Sequence, residues 1–197
     1  MKIEIISGSP RANSTTVRAA LHLRKWLEEN TEHEIGLIDL RTSNLPPIET
    51  VFTSVAAAPE EYKAISERMF AADAFILVSP EYNGSYSPAM KNLLDHFPKQ
   101  HHKPFGIVTA SPGAMGGIRA SQQMQLLVNA LFGIASPYML IVPAVDKKFD
   151  AAGNLIDEKF GHSVYNFMSE FLWLAEKIQP TLKGKLNSQT LEIKRTA

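Results

Sequence analysis

Apolar and polar positions along this chain follow two alternating periods, short apolar runs giving way to helical spacing and back again. Lys2 to Ile6 is an apolar run that predicts a first strand. From Ser14 to about Glu29 the spacing is helical, with Val17, Ala20, Leu21 and Leu27 on one face. His33 to Leu40 predicts a second strand. Arg41 to Pro59 is rich in Pro, Ser and Thr and predicts a long connection inside one domain, because strong periodicity resumes at once. Roughly Glu60 to Ala72 predicts a second helix, with Tyr62, Ile65, Met69 and Ala72 in register. Asp73 to Ser79 is continuously apolar, as a strand covered on both faces should be.

Pro80 to Ser87 reads as a loop, and Pro88 suits the first position of a third helix, whose face carries Met90, Leu93, Leu94 and Phe97. Pro104 to Ala110 predicts a fourth strand, Ser111 to Gly117 a Gly-rich loop, and the stretch to about Phe132 a fourth helix with Met124, Leu127, Val128 and Leu131 aligned. Tyr138 to Val142 predicts a fifth strand. A last helix runs from about Glu158 to Ile178 with Pro180 as its stop, and the polar tail after it has no assigned structure. Strands alternating with helices throughout predict an α/β domain built on a parallel sheet. The expected architecture is three-layer and doubly wound, with five strands in the flavodoxin-like order 2-1-3-4-5. It occupies residues 1–179, and residues 180–197 form the tail.

Composition narrows the function classes. The formal net charge of +0 gives no global basic field for nucleic acid. The count of Cys is 0, which removes disulfides, thiol catalysis and Cys-ligated metal centres. The opening MKIEII is too short an apolar run for a signal peptide, and no run approaches the ~20 residues of a membrane span. The expectation is a cytoplasmic protein that engages neither membrane nor nucleic acid.

In a sheet of this order, ligands bind beyond the C-terminal strand ends where the order reverses, between the first and third strands. Three loops meet there. The first runs through Ser9, Arg11, Asn13, Ser14, Thr15 and Thr16 into the start of a helix. A helix N-terminus offers unpaired N–H groups and partial positive charge, the hydroxyls add donors, and Arg11 can grip a phosphate through two hydrogen bonds. Simple capping needs only one hydroxyl. The second loop, Pro80-Glu81-Tyr82-Asn83-Gly84-Ser85-Tyr86-Ser87, offers an aromatic ring, an amide and a Gly where a backbone can approach a flat ligand. It also reads as an Asn-Gly turn followed by an N-cap at Ser87. The third, Ser111 to Gly117, offers backbone N–H groups, or is merely a flexible turn. His101-His102 reads as a solvated pair, and no metal site is expected.

The segments GSPRANS, PEYNGSYSPAMKNLLDHF and SPGAMGGIRA together resemble the NADPH-dependent FMN reductase family over roughly Lys2 to Val142, most specifically at PEYNGS and the following Lys91-Asn92. The resemblance implies a flavodoxin-like fold, bound FMN, and NADPH or NADH as reductant for quinones, free flavin or similar small acceptors. By this likeness Ser9, Arg11, Ser14 and Thr16 would hold the FMN phosphate. Pro80, Glu81, Tyr82, Asn83 and Gly84 would line the isoalloxazine, and Ser111 and Gly113 would meet its pyrimidine side. The chain departs from the pattern at Thr16, where Asn is frequent, and at Tyr86-Ser87, where Ile-Pro is common. The cofactor supplies the hard chemistry, so no catalytic acid–base dyad is expected. The likeness also implies a homodimer or homotetramer, with Tyr86, Met115 and Phe97 as apolar groups for a partner to cover. The alternative is a flavodoxin-type electron carrier or flavin-binding module without nucleotide turnover.

Overall fold

A computed structural model describes the backbone of residues 1–43 and 45–193, and side chains up to residue 179. Five helices flank a parallel sheet. The strands are β1 (Lys2–Ser7), β2 (Glu34–Asp39), β3 (Ala74–Ser79), β4 (Pro104–Ala110), β5 (Ile134–Ala135) and β6 (Leu140–Val142). The helices are α1 (Thr16–Asn30), α2 (Lys63–Ala71), α3 (Pro88–Asp95), α4 (Ile118–Ala130) and α5 (Gly161–Ile193). The sheet order is β2-β1-β3-β4-β5, with β6 also paired to β4. Every residue of β3 and β4 is buried, while the edge strand β2 is mostly half-exposed. That gradient follows from helices covering both faces of the central strands.

Each face has its own core. Ile3 and Ile5 pack with Leu23 and Leu27 of α1 and with Phe167 and Phe171 of α5. On the other face Ile6, Phe75 and Leu77 pack with Met69 of α2, Leu93 and Leu94 of α3, and Met124 and Leu127 of α4.

Two elements differ from the sequence expectation. The fifth strand position is divided. Ile134–Ala135 pairs with Pro104 and Phe105 at the start of β4, and Leu140–Val142 pairs with Val108 to Ala110 at its end. Pro137 lies between the two pieces and has no N–H to give a ladder. The expected strand Tyr138–Val142 captured only the second piece. The last helix begins at Gly161, after a single turn Glu158–Phe160, and continues through Pro180 to Ile193. A proline removes one backbone hydrogen bond and bends a helix, and here it does not end it. The side chains of the expected tail lie outside the described residues, as do residues 194–197.

The sheet's N-terminal edge holds an unusual cation. Lys103, just before β4, places its Nζ 5.2 Å from the centre of the Phe75 ring and donates to Gln100 Oε1 at 2.9 Å. Burial lowers its pKa from the ordinary 10.5 to about 8, opposed by the attraction of Asp73. A lysine with a depressed folded pKa binds fewer protons than its unfolded counterpart between those two values, so its contribution to stability rises with pH there. Below pH 8 the cost of the buried charge is fully present. Lys103→Met removes that cost, so its stability relative to wild type should be most favourable at pH 7.5 and decline toward pH 10. Urea unfolding of both proteins at the two pH values checks this. A difference independent of pH would place the ammonium in water.

Candidate functional site

Parallel strands deliver their following loops to one edge, and here the loops after β1, β3 and β4 converge around a cavity of about 560 Å³. That volume lies within the ~300–1,000 Å³ of small-ligand sites. Its wall takes Ser9, Arg11, Asn13, Ser14, Thr15 and Thr16 from the first loop, and Pro80, Glu81, Tyr82, Asn83 and Pro88 from the second. Ala110, Ser111 and Pro112 come from the third. The expected residues Ser9, Arg11, Ser14, Thr15, Thr16, Pro80, Glu81, Tyr82, Asn83 and Ser111 are therefore brought together. Gly84 and Gly113 are not part of the wall.

The first loop presents donors rather than caps. Thr15, at the N-cap of α1, makes no side-chain hydrogen bond to the helix. The first-turn N–H groups are thus left without a side-chain acceptor. Ser14 Oγ is buried with no partner. Arg11 takes part in no ion pair among the described residues, and its guanidinium carbon lies 4.5 Å from the centre of the Tyr82 ring. A cation over an aromatic face is held by the ring quadrupole. Thr16 differs from the rest. Its Oγ1 donates to Ala110 O at 3.2 Å, so the hydroxyl proton is committed to the end of β4.

The second loop is shaped by a tight turn. Tyr82 and Ser85 exchange backbone hydrogen bonds of 2.8 and 3.1 Å, and Asn83 and Gly84 both have positive φ, 51° and 84°. These are the φ signs of a type I′ turn, which Asn-Gly favours. Gly84 serves that turn, and a Cβ there would meet nothing within 4 Å. The turn projects Tyr82 into the wall, where its hydroxyl is buried without a partner. Ser87 caps α3 by accepting from Met90 N at 3.1 Å, and its own hydroxyl donates to Gly8 O of the first loop. The Gly8 N–H in turn donates to Val78 O at 2.8 Å.

The third loop uses its own donors internally. Gly113 N donates to Ser111 Oγ at 3.0 Å, and Ser111 N donates to Val142 O at 3.1 Å. Glu81 reaches across to this loop. Its carboxylate accepts from Arg119 Nε at 2.6 Å and from Arg119 N at 3.1 Å, which ties the second loop to the start of α4. Sequence reasoning assigned no site role to Arg119, Asn13, Pro88 or Pro112. Only Arg119 carried a signal, as the one charged residue between Lys103 and Asp146.

Elsewhere the structure offers less chemistry. No three His, Asp or Glu gather as a metal site among the described residues, and His101 stacks on the exposed Phe132 ring at 4.8 Å. No helix of the described residues is long and apolar enough to cross a membrane.

The donor set fits FMN. Unsatisfied N–H and hydroxyl groups with a free guanidinium suit a phosphate at one end. Tyr82, with Arg11 over one face of its ring, and the small polar residues beside it border space for a flat ring.

Comparison with known proteins agrees with this fit. The family described as NADPH-dependent FMN reductase matches residues 1–145. An FMN-dependent NADPH-azoreductase of Staphylococcus aureus is 32% identical over 169 residues, spanning 81% of this chain and 87% of its own. Among solved structures, the flavoenzyme NAD(P)H:(acceptor) oxidoreductase FerB of Paracoccus denitrificans superposes with a TM-score of 0.75 at 23% identity, covering 90% of this chain and 98% of its own. A flavodoxin of Pseudomonas aeruginosa gives a TM-score of 0.54 at 20% identity, covering 87% and 99%. These two likenesses concern the fold. With the family match over 145 residues and a relative at 32% identity, the chain belongs to the NADPH-dependent FMN reductase family.

Proposed function

We propose that this protein holds FMN non-covalently in the cavity at the β1–β3 switch point, accepts reducing equivalents from NADPH or NADH, and passes them to a small acceptor such as a quinone or free flavin. The observation that carries the reading is the first loop. An uncapped helix N-terminus, the orphaned Ser14 hydroxyl and the unpaired Arg11 stand together there. Ser9, Arg11, Ser14, Thr15 and the Thr16 N–H hold the phosphate. Pro80, Glu81, Tyr82 and Asn83 border the ring, with Gly84 shaping the turn. Ser111 borders the ring's pyrimidine side, and Gly113 braces Ser111. FMN, when bound, supplies the electron-transfer chemistry. The chain's own work is to orient the ring, hold its phosphate and leave one face accessible.

The phosphate assignment predicts that FMN binds much more tightly than riboflavin in equilibrium dialysis. Arg11→Ala should weaken FMN by about 1.5–3 kcal/mol for each charge-assisted hydrogen bond lost, and should weaken riboflavin by less. Equal affinity of the wild type for the two flavins would sink the assignment.

An open ring face separates a reductase from an electron carrier. Tyr82 is the only aromatic residue of the cavity wall among the described residues, and Tyr86 packs against the core beneath. Trp26 lies on α1 and Trp173 on α5, outside that wall. A single aromatic cannot close both faces of a flat ring, so a nicotinamide has room to stack. Anaerobic stopped-flow mixing with NADPH or NADH should bleach the visible absorbance of the bound flavin. If dithionite bleaches it and neither nucleotide does within minutes, the protein is a carrier.

A homodimer is part of the same reading. Of the apolar groups expected to face a partner, Phe97 is buried in the core at 4% exposure and Tyr86 is half-buried, while Met115 is 65% exposed. Met115 has better company than the sequence suggested. Ile118, Leu126, Phe132, Ile134 and Tyr138 are also exposed, and Arg119 is the only charge in that stretch of chain. Depletion of charge with exposed Met and aromatic side chains is the composition of an interface core. Light scattering at micromolar concentration should give at least twice 21.8 kDa, and a mass near 21.8 kDa would refute the dimer.

A further inference from the structure

Among the described residues the cavity wall contains one carboxylate, Glu81, and an acid beside an anionic cofactor needs an explanation. Its side chain is only 10% exposed, and both oxygens are engaged. Oε1 accepts from Arg119 Nε at 2.6 Å, and Oε2 accepts from Arg119 N at 3.1 Å. The second bond is a helix cap supplied from outside the helix. The N-cap of α4 is Gly117, which has no side chain and sits at φ 86°. A side chain at that position would be strained by the backbone and crowded by Thr109, whose Cβ lies 3.0 Å from an added Cβ. The helix therefore cannot cap itself, and the carboxylate of another loop does so. Negative charge is favoured at that end by the helix dipole.

The same contact decides where two walls of the cavity stand. Glu81 directly precedes the Tyr82–Ser85 turn, and Arg119 is the second residue of α4, two positions after the Gly116-Gly117 bend. The other pairs of loops are joined by buried bonds, Ser87 Oγ to Gly8 O and Thr16 Oγ1 to Ala110 O. Only the second-to-third tie runs through an exposed partner, since the Arg119 side chain is 72% exposed.

We propose that Arg119 is a positioning residue for the ring end of the cavity. It acts through Glu81, fixing the distance between the Tyr82 loop and the Ser111–Gly117 loop and neutralising the carboxylate beside the ring. It does not act on the phosphate end. This inference rests on the FMN reading given above.

The test separates the two ends by using two flavins. Arg119→Ala should weaken FMN and riboflavin by the same factor, about fivefold, so that their affinity ratio stays at the wild-type value. Arg119→Lys, which keeps the charge, should recover part of that loss for both. Hydrogen exchange on cofactor-free protein supplies a second readout. The Gly116 and Ile118 amides, bonded to Gly113 O and Met115 O, should exchange faster in Arg119→Ala. Unchanged riboflavin affinity, a loss confined to FMN, or exchange at the wild-type rate would overturn the proposal. Failure of the FMN reading would look different. The wild type would then not prefer FMN over riboflavin, while the exchange measurement would still report on the tie.

Discussion

The structure depends on closing three loops at one edge of a parallel sheet. Parallel strands end together, so their loops meet there with no backbone ladder to pair them. Side chains do the pairing instead. The Ser87 hydroxyl reaches Gly8, the Thr16 hydroxyl reaches Ala110, and the Glu81 carboxylate reaches Arg119. Each tie uses a residue at the start of a helix or one step from it: Thr16 and Ser87 by their own hydroxyls, and Arg119 by accepting a cap from Glu81. The circuit is closed, with each loop bound to both others. That is how a cavity walled by loops and the element ends beside them is held to a fixed shape by the rigid sheet below it.

The first and third loops spend their donors differently. In the third loop Gly113 donates to Ser111 and Ser111 to Val142, which stiffens the segment at the cost of those two backbone donors. In the first loop the hydroxyls of Ser14 and Thr15 are not spent on capping α1. An orphaned buried hydroxyl is costly unless something regularly occupies its hydrogen bond.

Much of this was legible in the sequence because burial on both faces leaves a continuous apolar run. Pro104–Ala110 matches its strand residue for residue, and Asp73–Ser79 is off by one. The Asn-Gly turn and the Ser87 cap were legible for the same local reason, since φ preference and side-chain capping act over a few residues. Failures came where distant parts of the chain decide. Ile134–Ala135 is a strand only because the start of β4 offers it an edge, and two residues carry no period. Phe97 looked available to a partner, but Phe52 and Phe70 enclose it edge-on at 5.8 and 5.7 Å. The Thr16 hydroxyl looked free until β4 took its proton. Arg119 and Glu81 lie 38 positions apart, and no local rule joins them.

Charge shows the same separation between whole chain and site. The sequence is neutral overall, which argues against any long-range attraction for an anion. Inside the cavity the balance is different. Arg11 stands without an acidic partner, the end of α1 adds partial positive charge, and the one acid in the wall is cancelled by Arg119. The field at a site is dominated by charges within about 8–10 Å, because solvent and salt screen more distant exposed ones. A neutral protein can thus present a locally positive pocket. The Glu81–Arg119 pair is what keeps that pocket from containing an opposing charge, so the contact that sets its shape also sets its sign.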